Sequence, residues 1–253
     1  MRIRGSTLSY VLIGLTLITN GSCSLLQRQE HRVEYRFQKS DPYRYNVDSL
    51  VVQDSSIAAY IRPYQVELEV RMNRIIGYAE TDLRNRPPEG NLGDIIADMM
   101  RRTASQKLGY AVDIGLTNWG GIRVPIPKGP ITVGDIYTVL PFENVLVVLT
   151  FSGTQLQAVA DQLAATGGQP ISGLRMRIEN GKAYDILVGN RPIVADEEYT
   201  LVTNDFMAEG GDGYTILKQH LQRQDLNILL RDAMINYVTE RYQLSPTPDS
   251  RLR

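Results

Sequence analysis

The feature that most constrains this chain is a change of apolar period along its length. Helical three- and four-residue steps alternate with short strand-like runs through the first part, and hairpin signals then take over. Behind the cap candidate Asp54-Ser55-Ser56, the residues Ile57, Tyr60, Ile61, Tyr64 and Leu68 recur at helical spacing, with Pro63 predicting a kink or a later start. Arg74 to Tyr78 reads as a strand. Asn91 opens a second helix with Leu92, Ile95, Ile96, Met99 and Met100 on one face, closed by Gly109. Val112, Ile114 and Leu116 alternate with Asp113, Gly115 and Thr117, the period of a half-buried strand. Ile131 to Leu140 suits a short helix, Val145 to Phe151 a central strand, and Thr154 to Ala164 a further helix.

Asn180-Gly181 and Gly189-Asn190 then separate strands around Leu174 to Ile178, Tyr184 to Val188 and the residues after Arg191, predicting a meander. Tyr199 to Thr203 makes another strand, Asn204 to Tyr214 a glycine-rich loop, and Leu226 to Tyr242 an amphipathic closing helix. This order predicts an α+β, mixed α/β domain over residues 51–245, with helices packed on a mixed β-sheet. With 43% apolar residues the chain can fill one sizeable core. A single cysteine leaves no internal disulfide, so packing alone must hold the fold.

Residues 1–22 read as an export signal: Arg2 and Arg4 precede an apolar stretch from Tyr10 to Ile18 that is too short to span a bilayer. Asn20-Gly21-Ser22-Cys23 resembles a loose lipobox, which would make Cys23 the acylated first residue of a lipoprotein; the alternative is an ordinary cleavage site. A polar linker follows over residues 24–50. The expected location is the bacterial cell envelope or periplasm, with a lipid anchor as the only membrane attachment. A net charge of -1 and a pI of about 6.2 supply no basic surface for a nucleic-acid polymer, so any partner of that chemistry should be small.

The two histidines, His31 and His220, are far apart in sequence, and no His or Cys pair has metal-ligand spacing, so no metal site is expected in this chain. His220 lacks the Gly-x-Ser-x-Gly elbow that a serine triad would need. The chemistry-bearing signal lies in three loops at strand ends. Asn118-Trp119-Gly120-Gly121-Ile122-Arg123 offers an amide, an arginine and glycines that let a ligand approach the backbone. Pro141-Phe142-Glu143-Asn144 places Phe142 and Asn144 on one side of an extended segment. Asn204 to Tyr214 carries Phe206 and, beyond a Gly-Gly bend, Asp212. Two of only four phenylalanines thus sit in loops, either as plugs for the core below or as an exposed stacking pair. Asp212 suits a turn cap or a cation as well as the cis-diol of a ribose.

Taken together, Asn-x-Gly-Gly-Ile-Arg, Leu-Pro-Phe-x-Asn and Asn-Asp-Phe-x-x-x-Gly-Gly-Asp-Gly-Tyr, preceded by Asn91-Leu92-Gly93-Asp94-Ile95-Ile96-Ala97-Asp98, resemble the C-terminal domain of the 5'-nucleotidases from about Ile57 to Leu217. The resemblance implies that Phe142 and Phe206 sandwich a nucleobase and that Asp212 holds the ribose hydroxyls. Asn118 would lie near base or ribose, Asn144 would belong to the Phe-x-Asn motif, and Arg123 would face the sugar-phosphate. Gly121 is counted with this set. Arg86 matches an upstream arginine of the family's site, with Arg84 as the alternative. Trp119 departs from the family's glycine; it would narrow the slot, stack on the ligand or meet another protein.

The family's metallophosphatase half, which activates water between two metal ions, has no counterpart here. The resemblance therefore implies a nucleotide- or nucleoside-binding half of a 5'-nucleotidase-like hydrolase. It has no catalytic residue or cofactor of its own, and divalent metals are expected on a separate metallophosphatase chain that completes the site. The alternative is a non-catalytic envelope lipoprotein that binds nucleotides or nucleosides; a structural or adhesive lipoprotein would share the fold without the ligand.

Overall fold

The computed structural model describes residues 54–85, 90–246 and 250–253. The signal segment, Cys23, the whole polar linker and Arg86 lie outside the described residues. In chain order the elements are α1 (Ser55–Met72), β1 (Ile75–Ala79), α2 (Asn91–Leu108), β2 (Ile114–Leu116), β3 (Gly129–Thr132), α3 (Val133–Val139), β4 (Val145–Ser152) and α4 (Gly153–Ala165). There follow β5 (Ile171–Ser172), β6 (Leu174–Glu179), β7 (Lys182–Val188), β8 (Arg191–Pro192), β9 (Glu198–Asn204), α5 (Asp205–Ala208), β10 (Gln222–Leu229), α6 (Leu230–Arg241) and β11 (Gln243–Leu244).

A five-stranded mixed sheet in the order β10-β4-β9-β2-β5 is the centre of the domain. Successive side chains of a strand point to opposite faces, and β4 shows the consequence. Leu146 and Val148 enter a core shared with α2, α3, α6 and β1, while Val147, Leu149 and Phe151 enter a second core shared with α4, β6 and β7. Each such side chain contributes roughly 1.5–3 kcal/mol by leaving water. Sheet β11-β1-β3 belongs to the first core, and β6-β7-β8 covers the second.

The mixed fold expected from the sequence is the one observed. Both hairpins form, with Asn180, Gly181, Gly189 and Asn190 all at positive φ, as two-residue primed turns require. Gly109 closes α2 in the left-handed conformation, and Asp54 caps α1 by accepting from the Ser56 and Ile57 amides.

Five local expectations change. The helix expected from Ile131 begins at Val133, because Ile131 and Thr132 pair with β1 as part of β3. Helix α1 begins at Ser55 and continues through Pro63, and none of its residues is buried, although its apolar spacing implies a covered face. Strand β2 is buried on both faces rather than half-buried, because Gly115 lies so close to α2 that a Cβ would fall 2.4 Å from the Ala97 carbonyl oxygen. The closing helix starts at Leu230; residues 222–229 instead pair with β4 as the sheet's edge strand. The fold also continues past residue 245, where Leu252 bridges Met176 and Arg251 is buried. Among the described residues no helix is long and apolar enough to cross a membrane.

Candidate functional site

Strand register gathers the three loops. β2 runs parallel to β9, with Gly115 opposite Val202, and β4 runs antiparallel to β9, with Leu146 opposite Asn204. The segments leaving β2 and β9 and the segment entering β4 therefore emerge at one end of the sheet, where open α/β sheets tend to hold ligands.

A directional hydrogen-bond chain fixes the floor. Fully buried Asn204 caps α5 by accepting from the Met207 amide at 2.8 Å, and its Nδ2 donates to Asn118 Oδ1 at 3.2 Å and Thr117 Oγ1 at 3.3 Å. With its oxygen occupied, Asn118 turns its Nδ2 to Asp212 Oδ2 at 2.6 Å; the network assigns the amide orientation. Asp212 Oδ1 makes no hydrogen bond among the described residues. Asp212 itself adopts φ 52°, ψ 23° between Gly210 and Gly213, whose φ values are 83° and 82°. A left-handed non-glycine residue costs roughly 1–2 kcal/mol, so packing holds this carboxylate against a local preference.

The walls are aromatic. Phe142 and Phe206 are 47% and 45% exposed, and they line one cleft of about 270 Å³ together with Asn118, Gly121, Arg123, Asn144 and Asp212. Their loops are tied together: Asp205 Oδ1 accepts from the amides of Val145, at 3.2 Å, and Phe206, at 2.9 Å. Buried Arg231 donates to the Pro141 carbonyl at 3.3 Å and lies over the Tyr137 ring at 4.2 Å, anchoring the residue before Phe142. Two glycines leave room for close contacts. A Cβ on Gly121 would lie 2.9 Å from Asn118 Oδ1, and one on Gly211 would lie 2.4 Å from the Phe206 ring. Arg123 donates to the Gly120 carbonyl at 3.3 Å and has no carboxylate in ion-pair range among the described residues, leaving a cation at the cleft.

The sequence-derived site residues thus converge, with two qualifications. Arg86 is outside the described residues, and Arg84, its alternative, pairs with Asp82 and lines a different hollow. Trp119 does not line the cleft: its indole packs on Gly93 and Pro170 and donates to the Gly168 carbonyl at 3.1 Å. Gly120, one of the loop glycines read as admitting a ligand, completes the lining. Sequence reasoning missed three supports: Asn204 and Asp205 organise the loops, and Asn85 pins the first loop by donating to the Ile122 carbonyl at 2.7 Å. Asn204 and Asp205 carry a legible signal, a side-chain cap followed by an acid in the first turn; Asn85 carries none.

His220 holds the Leu217 carbonyl and is not in the cleft. Among the described residues no three His, Cys, Asp or Glu side chains are grouped to hold a metal ion. The cleft's groups are suited to stacking and hydrogen bonding.

Comparison with known proteins gives the family. Residues 71–219 match the family described as 5'-nucleotidase, C-terminal domain. A 5'-nucleotidase of Vibrio parahaemolyticus is 31% identical over 187 residues, covering 69% of this chain and 32% of its own length. Endonuclease YhcR of Bacillus subtilis is 35% identical over 180 residues, covering 68% of this chain and 14% of its own length. The crystal structure of a 5'-nucleotidase precursor from Thermus thermophilus superposes with a TM-score of 0.68 at 31% identity, over 78% of this chain and 42% of that one. The chain spans about a third or less of the length of these curated relatives. It belongs to the 5'-nucleotidase C-terminal domain family.

Proposed function

We propose that the cleft binds a nucleoside or nucleotide, with the base between Phe142 and Phe206, the ribose diol on Asp212 and the phosphate side toward Arg123. The observation that carries this reading is the pair of half-exposed rings on one cleft whose floor is an oriented Asn118–Asp212 pair. Rings left in water without a partner favour a planar ligand, and a carboxylate accepts both hydroxyls of a cis-diol. Asn144 and Gly121 complete the wall in this reading, and Arg86 adds a second cation.

The cleft's volume lies just below the range of small-ligand pockets, roughly 300–1,000 Å³, which suits a nucleoside with its phosphates outside. Two stacking contacts of about 1–3 kcal/mol each, with charged hydrogen bonds, are compatible with micromolar affinity. In this reading hydrolysis belongs to a metallophosphatase on a separate chain, carrying the divalent metals, to which this domain presents substrate. Export to the cell envelope, with Cys23 as a lipid anchor, is part of the same proposal.

The test is calorimetric titration of the full chain with AMP and adenosine, then addition of a metallophosphatase. Binding that weakens about tenfold or more in Phe142→Ala and Phe206→Ala supports the reading; heat that is absent, or indifferent to both substitutions, overturns it. Binding without any gain in phosphate release favours the non-catalytic, nucleotide-holding lipoprotein.

A further inference from the structure

A second and larger concavity, about 590 Å³, shares no lining residue with the cleft. Arg101, Arg102, Arg175, Arg241 and Arg251 line it, against two carboxylates among the described residues, Asp94 and Asp98. Helix geometry explains part of the cluster: positions 94, 98, 101 and 102 of α2 recur at three- and four-residue steps and so share a face.

The acids of this concavity are already engaged. Asp98 Oδ2 accepts from Arg251 Nη2 at 2.8 Å, and its Oδ1 accepts from Ser172 Oγ at 2.6 Å. Asp94 Oδ1 lies 3.9 Å from Arg251 Nη1. The Arg251 side chain, only 5% exposed, also donates to the Asp94 and Ile171 carbonyls, so it acts as a built-in floor. Arg102 is engaged too, 3.6 Å from the exposed Glu240. Arg101 and Arg241 have no carboxylate in ion-pair range and donate no hydrogen bond among the described residues; Arg241 lies over the Tyr237 ring at 4.9 Å.

Half-buried Arg101 and exposed Arg241 both line the hollow, where low-dielectric walls focus positive potential, and each guanidinium offers the planar fork that matches phosphoryl oxygens. Two such forks on a space larger than one phosphate suit more than one linked anionic group. We infer that this concavity is a second ligand site, separate from the nucleoside cleft, that takes a phosphoryl-rich anion through Arg101 and Arg241. Soluble oligophosphates and phospholipid headgroups share that chemistry. The inference does not depend on the nucleotide reading of the first cleft.

The experiment uses the full chain carrying Cys23→Ser, so that no acyl chain contributes. Inorganic pyrophosphate is titrated calorimetrically at low salt, and flotation is measured with phosphatidylcholine vesicles with and without phosphatidic acid. Arg101→Gln/Arg241→Gln should weaken binding tenfold or more with an unchanged melting temperature, while Phe142→Ala leaves it as in the parent. Response to pyrophosphate alone identifies a soluble ligand, and response to the anionic vesicles alone identifies a headgroup. The proposal is overturned if neither probe binds, if both ignore the double substitution, or if Phe142→Ala abolishes pyrophosphate binding.

Discussion

Replacing Gly211 by alanine separates the position of the Phe206 ring from its presence. Gly211 is not at positive φ, so alanine is allowed by the backbone. The added Cβ would nevertheless lie 2.4, 2.5 and 2.6 Å from Phe206 Cε1, Cδ1 and Cζ. Carbon atoms in contact sit about 3.5–4.0 Å apart, so the ring must retreat by about 1 Å or more. Phe206 is 45% exposed and can swing into solvent, which keeps the stability change small. A stacking contact of about 1–3 kcal/mol is then lost, a weakening of roughly 5- to 150-fold at 1.4 kcal/mol per decade. Calorimetry with adenosine on the parent, Gly211→Ala, Phe206→Ala and the double variant measures this. Because both single substitutions remove one contact, the double variant should bind no more weakly than Phe206→Ala alone. Parent-like binding by Gly211→Ala beside a weakened Phe206→Ala, or additive losses, would refute the reasoning.

Asn204→Ala removes the α5 cap and leaves Asn118 Oδ1 without its donor; a loss of about 2–4 kcal/mol is expected, read as a fall of several degrees in the thermal midpoint together with weaker adenosine binding. Gly115→Ala would press a Cβ to 2.4 Å from the backbone oxygen of Ala97, whereas Gly109→Ala meets nothing within 4 Å and suffers only its φ of 77°. The first should cost more in urea denaturation than the roughly 1–2 kcal/mol of the second. Burial pushes the Tyr214 phenol above its ordinary value, and the hydroxyl pairs with Thr166. A raised folded-state value means stability that is complete below about pH 10 and lost as pH rises through the folded-state value. Urea denaturation from pH 8 to 11 should show this decline, with a shallower alkaline slope in Tyr214→Phe.

Legibility in the sequence followed the range of the interaction. The hairpins at Asn180-Gly181 and Gly189-Asn190 and the Gly109 stop are set by residues adjacent in the chain, and all three formed as expected. Strand β10 was hidden because Gln222 to Asp225 are exposed and polar; their strand conformation comes from hydrogen bonding to β4, a partner far away in sequence. Gly115 read as the polar-face member of an alternating strand, while its function is to admit the Ala97 backbone, a contact no local pattern encodes. The site was more legible than the fold around it, because its motifs sit at the ends of β2, β4 and β9 and the sheet register collects them. Asn85, reaching across from a different loop to the Ile122 carbonyl, is the kind of support that only coordinates reveal.

The central claim is that Phe142 and Phe206 grip one planar base. With only four phenylalanines in the chain, selective isotope labelling of that residue gives a spectrum simple enough to assign by single substitution. Saturating the labelled protein with adenosine and recording intermolecular nuclear Overhauser effects from the adenine ring protons tests the claim directly. The account predicts cross-peaks to both Phe142 and Phe206 and none to the buried Phe151; adenine protons that contact neither loop phenylalanine, or only one of them, would contradict it.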